Sequence, residues 1–151
     1  MVDRFQRFLY YISEISRHWH KIAADEMEKH GLKGPHATYL ICIYRHPDGI
    51  TAPQISELCG KDKSDVSRTM ALMEKKGIVT KEGVHQNLYR GVYKLTDAGK
   101  LAAEEVSKRA ALAVELAGRD LSTENRTIFY TALEQISDNL RDLSQNGLPE
   151  Q

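Results

Sequence analysis

Apolar residues recur at helical spacing near both ends of the chain, and two short runs of β-branched and aromatic residues lie between them. The first periodic segment predicts one long helix over residues 3–30 that stops at Gly31. A second, more uniformly apolar helix is predicted over 35–46, and two further helices begin after Thr96 and Ser122. The pattern therefore predicts a mainly α, α+β chain with a small β-hairpin.

A capping-box pattern marks the first of two short helices in the middle of the chain. Thr51 can accept a hydrogen bond from backbone amides, and Gln54 stands three residues further on, which predicts a helix over 52–59. Gly60 follows as a residue that readily takes the left-handed conformation at a helix end. The chain is therefore predicted to turn at this glycine. Ile50, just before the helix, is expected to form a one-residue strand against the hairpin.

The second short helix is predicted to begin at 62–64, to stop at Gly77, and to have two chemically different faces. Val66, Met70 and Met73 recur at spacings of four and three and form an apolar stripe. Hydroxyl and guanidinium groups lie opposite, in the N-terminal half that such helices place in a DNA major groove. With the polar-tipped hairpin that follows, the segment predicts a winged helix-turn-helix. The candidate DNA-binding residues are Gln54, Lys61, Lys63, Ser64, Asp65, Ser67, Arg68, Thr69 and Lys81, with His85, Asn87 and Arg90 at the hairpin tip.

The formal net charge of the chain is zero, but its charges are unevenly distributed. Residues 61–94 hold eight basic and four acidic side chains, whereas residues 95–151 hold six basic and ten acidic ones. A locally basic surface is the electrostatic feature that nucleic-acid binding requires. The zero net charge therefore does not exclude DNA as a partner.

The apolar stripes at the two ends of the chain exceed what one small winged helix can bury. A larger monomer core would be one explanation, but burial against a second copy of the chain is the preferred one. We expect one domain over residues 1–151, with a winged-helix subregion over 33–97 and dimerisation helices over 1–32 and 98–146.

The order of these elements resembles the multiple-antibiotic-resistance regulator (MarR) family of bacterial transcription factors over nearly the whole chain. The most specific matches are DVSR (65–68), LMEKKGIV (72–79) and KLTDAG (94–99). Arg90 matches the family's wing arginine, whereas Leu88 stands where an aspartate is usual. The resemblance implies a homodimeric repressor that binds a pseudo-palindromic operator in double-stranded DNA and is released by a small-molecule effector.

The same resemblance implies an effector pocket between the dimerisation helices and the DNA-binding segment. The aromatic and polar candidates for it are Trp19, His20, Tyr39, Tyr44 and His46. No metal site is predicted, because zinc-sensing relatives combine Glu and His after the wing, and this chain has Glu104 and Glu105 there without a histidine. Cys42 and Cys59 are interpreted as buried free thiols, with a redox-sensing thiol as the alternative.

Other classes of protein find little support in the sequence. It contains no glycine-rich phosphate loop, nucleophile elbow or HExxH motif, so we expect neither an enzyme nor a bound cofactor. No apolar run approaches the roughly 20 residues that span a bilayer, and the N-terminus has no signal-peptide core, so a cytoplasmic protein without a membrane partner is expected. A winged helix that binds proteins without specific DNA binding is the rival hypothesis.

Overall fold

The computed structural model describes residues 2–83 and 91–149, and the described residues form six helices and three strands. The elements are α1 (Val2–Glu28), α2 (His36–Tyr44), β1 (Ile50–Thr51), α3 (Ala52–Cys59), α4 (Lys63–Lys75), β2 (Val79–Glu82), β3 (Val92–Leu95), α5 (Asp97–Ala117) and α6 (Thr123–Asn146). The predicted mainly helical α+β fold is confirmed. The chain divides into two compact units, residues 1–111 and 112–151.

The first unit contains a three-stranded antiparallel sheet in the order β1-β3-β2. The central strand β3 pairs with both neighbours: Tyr93 lies opposite Ile50 of β1, and Leu95 lies opposite Val79 of β2. The expected third strand at Ile50 is therefore present, and it is two residues long because Thr51 also pairs, with Val92.

Helix α2 lies at the centre of the first unit, as its uniformly apolar sequence predicts. Its residues Tyr39, Leu40 and Ile43 are fully buried, in a core that also contains Ile55 of α3 and Met73 of α4. From α5 the core receives mainly small side chains, Ala102, Ala103 and Val106.

Helix α1 contributes to this core only at its C-terminal end, where Met27 is fully buried. The helix ends at Glu28, slightly earlier than the predicted residue 30, because the chain turns at Gly31 with a φ of +68°. The amide of Leu32 then donates to the carbonyl of Met27 at 3.0 Å. Further towards the N-terminus the apolar stripe of α1 is exposed, with Phe5 and Ile15 among its members.

In the second unit, α6 begins as the sequence predicts. Ser122 is its N-cap, and the Ser122 hydroxyl accepts a hydrogen bond from the amide of Asn125 at 3.1 Å. Arg126 holds the preceding turn, donating to the carboxylate of Glu115 at 3.0 Å and to the carbonyl of Gly118 at 2.7 Å. All of α6 is described, and none of its residues is buried. Among the helices that the structure describes, none is long and apolar enough to cross a membrane.

Candidate nucleic-acid interface

Helix α3 is positioned by the predicted capping box. The hydroxyl of Thr51 accepts from the amide of Gln54, and the side-chain carbonyl of Gln54 accepts from the amide of Thr51 at 3.0 Å. At the other end Gly60 adopts the left-handed conformation with a φ of +62°. The Ser56 hydroxyl then donates to the Lys61 carbonyl at 2.5 Å, while the Lys61 amide donates to the Ser56 carbonyl at 3.1 Å. These bonds fix the turn between α3 and α4.

Helix α4 separates the predicted buried and exposed faces. Asp62 caps its N-terminus, accepting from the amide of Asp65 at 2.8 Å. Val66, Met70 and Met73 are buried, which confirms the predicted apolar stripe. The opposite face presents Ser64, Ser67 and Arg68 to solvent, and 74% of the Arg68 side chain is exposed.

Thr69 does not lie on that outer face, and its predicted placement there is wrong. It is only 6% exposed. The physical reason is helical geometry, since Thr69 follows Val66 by three residues and precedes Met73 by four. Thr69 therefore belongs to the inward stripe, with its hydroxyl among the buried apolar side chains of α4.

Asp65 connects the outer face of α4 to the core. Its carboxylate accepts a hydrogen bond from the hydroxyl of Tyr39, and its other oxygen lies 3.9 Å from the Arg68 guanidinium. Burial, and then the bond to Asp65, raises the pKa of Tyr39 well above its usual range, so this tyrosine remains a donor. Asp65 therefore contacts both Arg68 on the exposed face of α4 and Tyr39 on the buried helix α2. The sequence singled out Asp65 without revealing Tyr39 as its partner.

The C-terminal end of α4 is held by the KLTDAG motif. The hydroxyl of Thr96 donates to the carbonyl of Gly77 at 2.6 Å and accepts from the amide of Gly99 at 3.0 Å. A Cβ atom at Gly99 would lie 2.1 Å from the carbonyl oxygen of Ile78, so only glycine allows this approach of α5. The motif therefore fixes the junction of α4, the sheet and α5.

The basic residues of this region fall into two groups. Lys61 and Lys63 are exposed at the turn before α4. Others hold the fold: Lys76 donates to the carbonyl of Gly31 at 2.5 Å, Lys94 pairs with Glu82 at 3.0 Å, and the Lys81 ammonium lies 5.4 Å from the centre of the Tyr93 ring. The predicted tip residues His85, Asn87 and Arg90 lie outside the described residues. The structure therefore gathers Lys61, Lys63, Ser64, Ser67 and Arg68 around the exposed start of α4.

A cavity of about 380 Å³ lies among α1, α2, α3 and α5 of the first unit. Two of the five residues predicted for an effector pocket, Trp19 and His46, line it. The other three do not line it, and their place in an effector pocket stays a prediction. Tyr39 bonds to Asp65, and His20 and Tyr44 are exposed elsewhere.

The residues that line the cavity recur at helical spacing. This spacing would have predicted the lining better than the choice of aromatic and polar side chains did. Thr38 and Cys42 are four residues apart on α2, His46 follows four residues later just beyond the end of the helix, and all three line the cavity, as do Ile22 and Glu26 on α1. Glu26 also accepts hydrogen bonds from Lys29 and Arg109, and these partners, Lys29 foremost, lower its pKa although burial opposes the shift. The carboxylate in the cavity wall is thus already paired.

A helix capped by Asp62 and docked on its apolar side, preceded by a fixed turn and followed by two strands of a three-stranded sheet, defines a winged helix-turn-helix. Residues 30–86 match the model of the MarR family. The resemblance predicted from the sequence is therefore confirmed, and this winged-helix segment is similar to the MarR family.

Solved structures extend the likeness to most of the chain. A protein assigned to the MarR family from Listeria monocytogenes, solved in complex with 26mer DNA, is 19% identical, with a TM-score of 0.79 and 95% and 97% of the two chains covered. The transcriptional regulator SlyA is 21% identical, with a TM-score of 0.79 and coverage of 88% and 93%. MepR, a transcription regulator of the Staphylococcus aureus multidrug efflux pump MepA, is 20% identical, with a TM-score of 0.68 and coverage of 88% and 98%. At these identities the likeness establishes the fold. No curated protein matches the chain in sequence.

Proposed function

We propose that the protein is a homodimeric, sequence-specific DNA-binding transcriptional regulator. The observation that carries this proposal is the exposed N-terminal half of α4, where Ser64, Ser67 and Arg68 project from a helix whose other face is anchored by Val66 and Met70. Hydroxyl and guanidinium groups at such positions bond base edges and phosphates in the major groove.

The residues around α4 divide into two roles in this proposal. Arg68 and Ser67 read base edges, because they stand on the helix that enters the groove. Lys61 and Lys63 bind phosphates beside it, so affinity falls as salt rises. Gln54 uses its side-chain carbonyl in the cap and presents its amide nitrogen as a phosphate donor. Lys81 and the tip residues His85, Asn87 and Arg90 complete the interface from the wing.

Two copies of the chain bind a pseudo-palindromic operator, with half-sites about one helical turn apart. The support for a dimer is the apolar surface that the single chain leaves exposed. In α1 this surface includes Phe5, Leu9 and Ile15, and in α6 it includes Phe129 and Ile136. Exposed apolar faces of this kind are typical of a subunit interface. The chain ends thus serve dimerisation, and residues 33–97 serve DNA binding.

The structural neighbour from Listeria monocytogenes supports DNA as the partner, because that protein was solved in complex with 26mer DNA. Its fold is shared along nearly the whole chain. The two proteins differ at most positions, so the operator sequence of this protein is its own.

We further propose that the protein acts as a repressor and that a small molecule in the cavity beside Trp19 and His46 releases it from DNA. The cavity wall includes α3, which packs on α4, so occupation of the cavity can favour a different position of the DNA-binding helix. An effector acts in this way only if it binds the two arrangements with different affinity.

Fluorescence anisotropy with the DNA upstream of the protein's own gene tests the central proposal. Arg68→Ala removes a base contact, so we expect a loss of about 1–3 kcal/mol in binding free energy, a factor of about 5 to 150 in Kd. Arg141→Ala is a matched control, because Arg141 is an exposed arginine paired with an acid three residues earlier, as Arg68 is. Unchanged affinity of the Arg68 variant, or an equal loss in both, would refute the assignment.

A further inference from the structure

Two thiols line the cavity of the first unit. Cys42 lies on α2, Cys59 is the last residue of α3, and both side chains are half-buried. They are the two cysteines of the whole sequence. The cavity is therefore the place where all the sulfhydryl chemistry of a single chain is concentrated.

The geometry places the Cys59 thiol beside the turn of α2 that carries Cys42. The sulfur of Cys59 lies 4.0 Å from the carbonyl oxygen of Thr38. In an α-helix that carbonyl points towards the residue four positions later, which on α2 is Cys42. The Cys59 sulfur thus rests against the helical turn that carries Cys42.

We propose that Cys42 and Cys59 form a two-thiolate binding site for a soft monovalent cation of the Cu(I) class, which bridges α2 to α3. Thiolate sulfur selects soft cations such as Cu(I) over hard ones. A structural zinc ion needs four protein ligands. Among the residues that the structure describes, no three His, Cys, Asp or Glu side chains are grouped to hold a metal ion, so the pair offers two sulfurs and favours an ion that accepts two.

The protonation state of Cys59 favours metal binding over a peroxide-sensing role. Burial, and then the neighbouring Cys42, raises the pKa of Cys59 to about 12, so this residue is a neutral thiol at physiological pH. Redox-sensing cysteines need a lowered pKa, because the thiolate is the nucleophile. A soft cation has no such requirement, since it displaces the protons as it binds.

The binding step balances without any oxidant. Two S–H bonds break, two protons pass to the buffer, and two metal–sulfur bonds form, so a monovalent ion gives a bis-thiolate of charge −1 with no electron transferred. Positive charge is available nearby. Arg45 lines the same cavity, and the charge of Lys61 already favours the Cys59 thiolate.

Anaerobic titration of the reduced full-length protein with Cu(I), in competition with a chromophoric Cu(I) chelator, tests the site. We expect one ion per chain and two protons released, so the affinity rises by up to about 100-fold per pH unit. Cys42→Ser and Cys59→Ser should each lower the affinity by at least about 100-fold, because a single thiolate remains. His18→Ala, a change at an exposed histidine of α1, should leave it unchanged.

Alkylation followed by mass spectrometry provides a second test on the wild-type chain, so the result does not depend on whether a variant folds. In the wild-type chain Cu(I) should protect both cysteines together from iodoacetamide. Unchanged affinity in either single-cysteine variant, one ion per two chains, release of one proton, or protection of one cysteine alone would each overturn the proposal. A Cys42–Cys59 disulfide formed under the anaerobic conditions would overturn it as well.

Discussion

Helices α4 and α6 have similar local sequence features and opposite surroundings. Each is amphipathic, and each begins at a side-chain cap, Asp62 for α4 and Ser122 for α6. Yet α4, with 13 residues, buries four side chains, whereas α6, with 24 residues, buries none. Periodicity therefore predicts that a helix has an apolar face without saying what covers it.

The apolar faces of the two helices also differ in how they contribute to stability. The buried face of α4 packs within its own chain, so its contribution is independent of protein concentration. If the exposed face of α6 is covered by a second copy, its contribution depends on concentration, because subunit association follows mass action. The four predictions below test this difference, from the largest expected effect to the smallest.

Truncation of a buried side chain of α4 should have the largest effect on folding. Met73 is fully buried, so Met73→Ala should lower the free energy of unfolding by about 2–5 kcal/mol, as measured by chemical denaturation. Leu101→Ala removes a side chain that is 58% exposed on α5 and should cost about 0.5 kcal/mol or less. Equal costs would contradict the division between core and exposed faces.

Charges on the apolar face of α6 should break the proposed dimer. Phe129 and Ile136 are seven residues apart on this face, and Phe129→Glu with Ile136→Glu would bury unpaired carboxylates in an interface. We expect the dimer dissociation constant to rise by about 100-fold or more, a change of about 3 kcal/mol. Sedimentation equilibrium measures this change.

The matched control adds the same charge to the opposite side of α6. Thr131→Glu with Gln145→Glu changes exposed residues outside the apolar face and should leave the dimer intact. A wild-type chain that sediments as a monomer, or equal effects of the two double variants, would refute the proposed interface.

Removal of the Tyr39 hydroxyl should have a smaller effect. Tyr39→Phe keeps the buried ring but deletes the hydrogen bond to Asp65, which should cost about 0.5–1.5 kcal/mol in chemical denaturation. Tyr44→Phe, at an exposed position of α2, should cost almost nothing. A neutral Tyr39→Phe would show that the bond adds little to the attachment of α4.

Acidification should reduce stability slightly through His36. Burial, and then the charge of Lys33, lowers the pKa of His36 below 6.5, and its Nδ1 atom accepts from the Lys33 amide at 3.1 Å. The unfolded chain therefore binds the proton more readily, so this stability is present above pH 6.5 and is lost as the pH falls through the folded-state pKa.

The corresponding measurement is the free energy of unfolding as a function of pH. In His36→Gln this free energy should fall less on acidification than in the wild-type chain. Identical pH dependence in the two proteins, or an NMR titration that gives His36 a raised pKa, would contradict the interpretation.

The features that local sequence predicted correctly depend on neighbouring residues. Thr51 and Gln54 form a capping box because their spacing lets each satisfy the other's backbone amide. Gly60 ends α3 because glycine takes a positive φ without steric cost. The stripe of Val66 and Met70 follows from the helical repeat alone.

The features that local sequence did not predict depend on residues far apart in the chain. Thr69 has the same periodicity as the core, but its hydroxyl concealed its burial. Tyr39 was placed at a pocket by its chemistry, although its partner Asp65 is 26 residues away. Pairing across such a distance is decided by tertiary packing, which no local pattern encodes.

By itself the sequence determined the order of the elements, their capped ends and the two faces of α4, since hydrogen-bond partners and helical repeats act over a few residues. Only the tertiary structure decided that Gly99 must lie against Ile78, and that Cys42 and Cys59 share one cavity. These are steric and chemical juxtapositions between separate helices and strands, and they exist only once the chain has closed on itself.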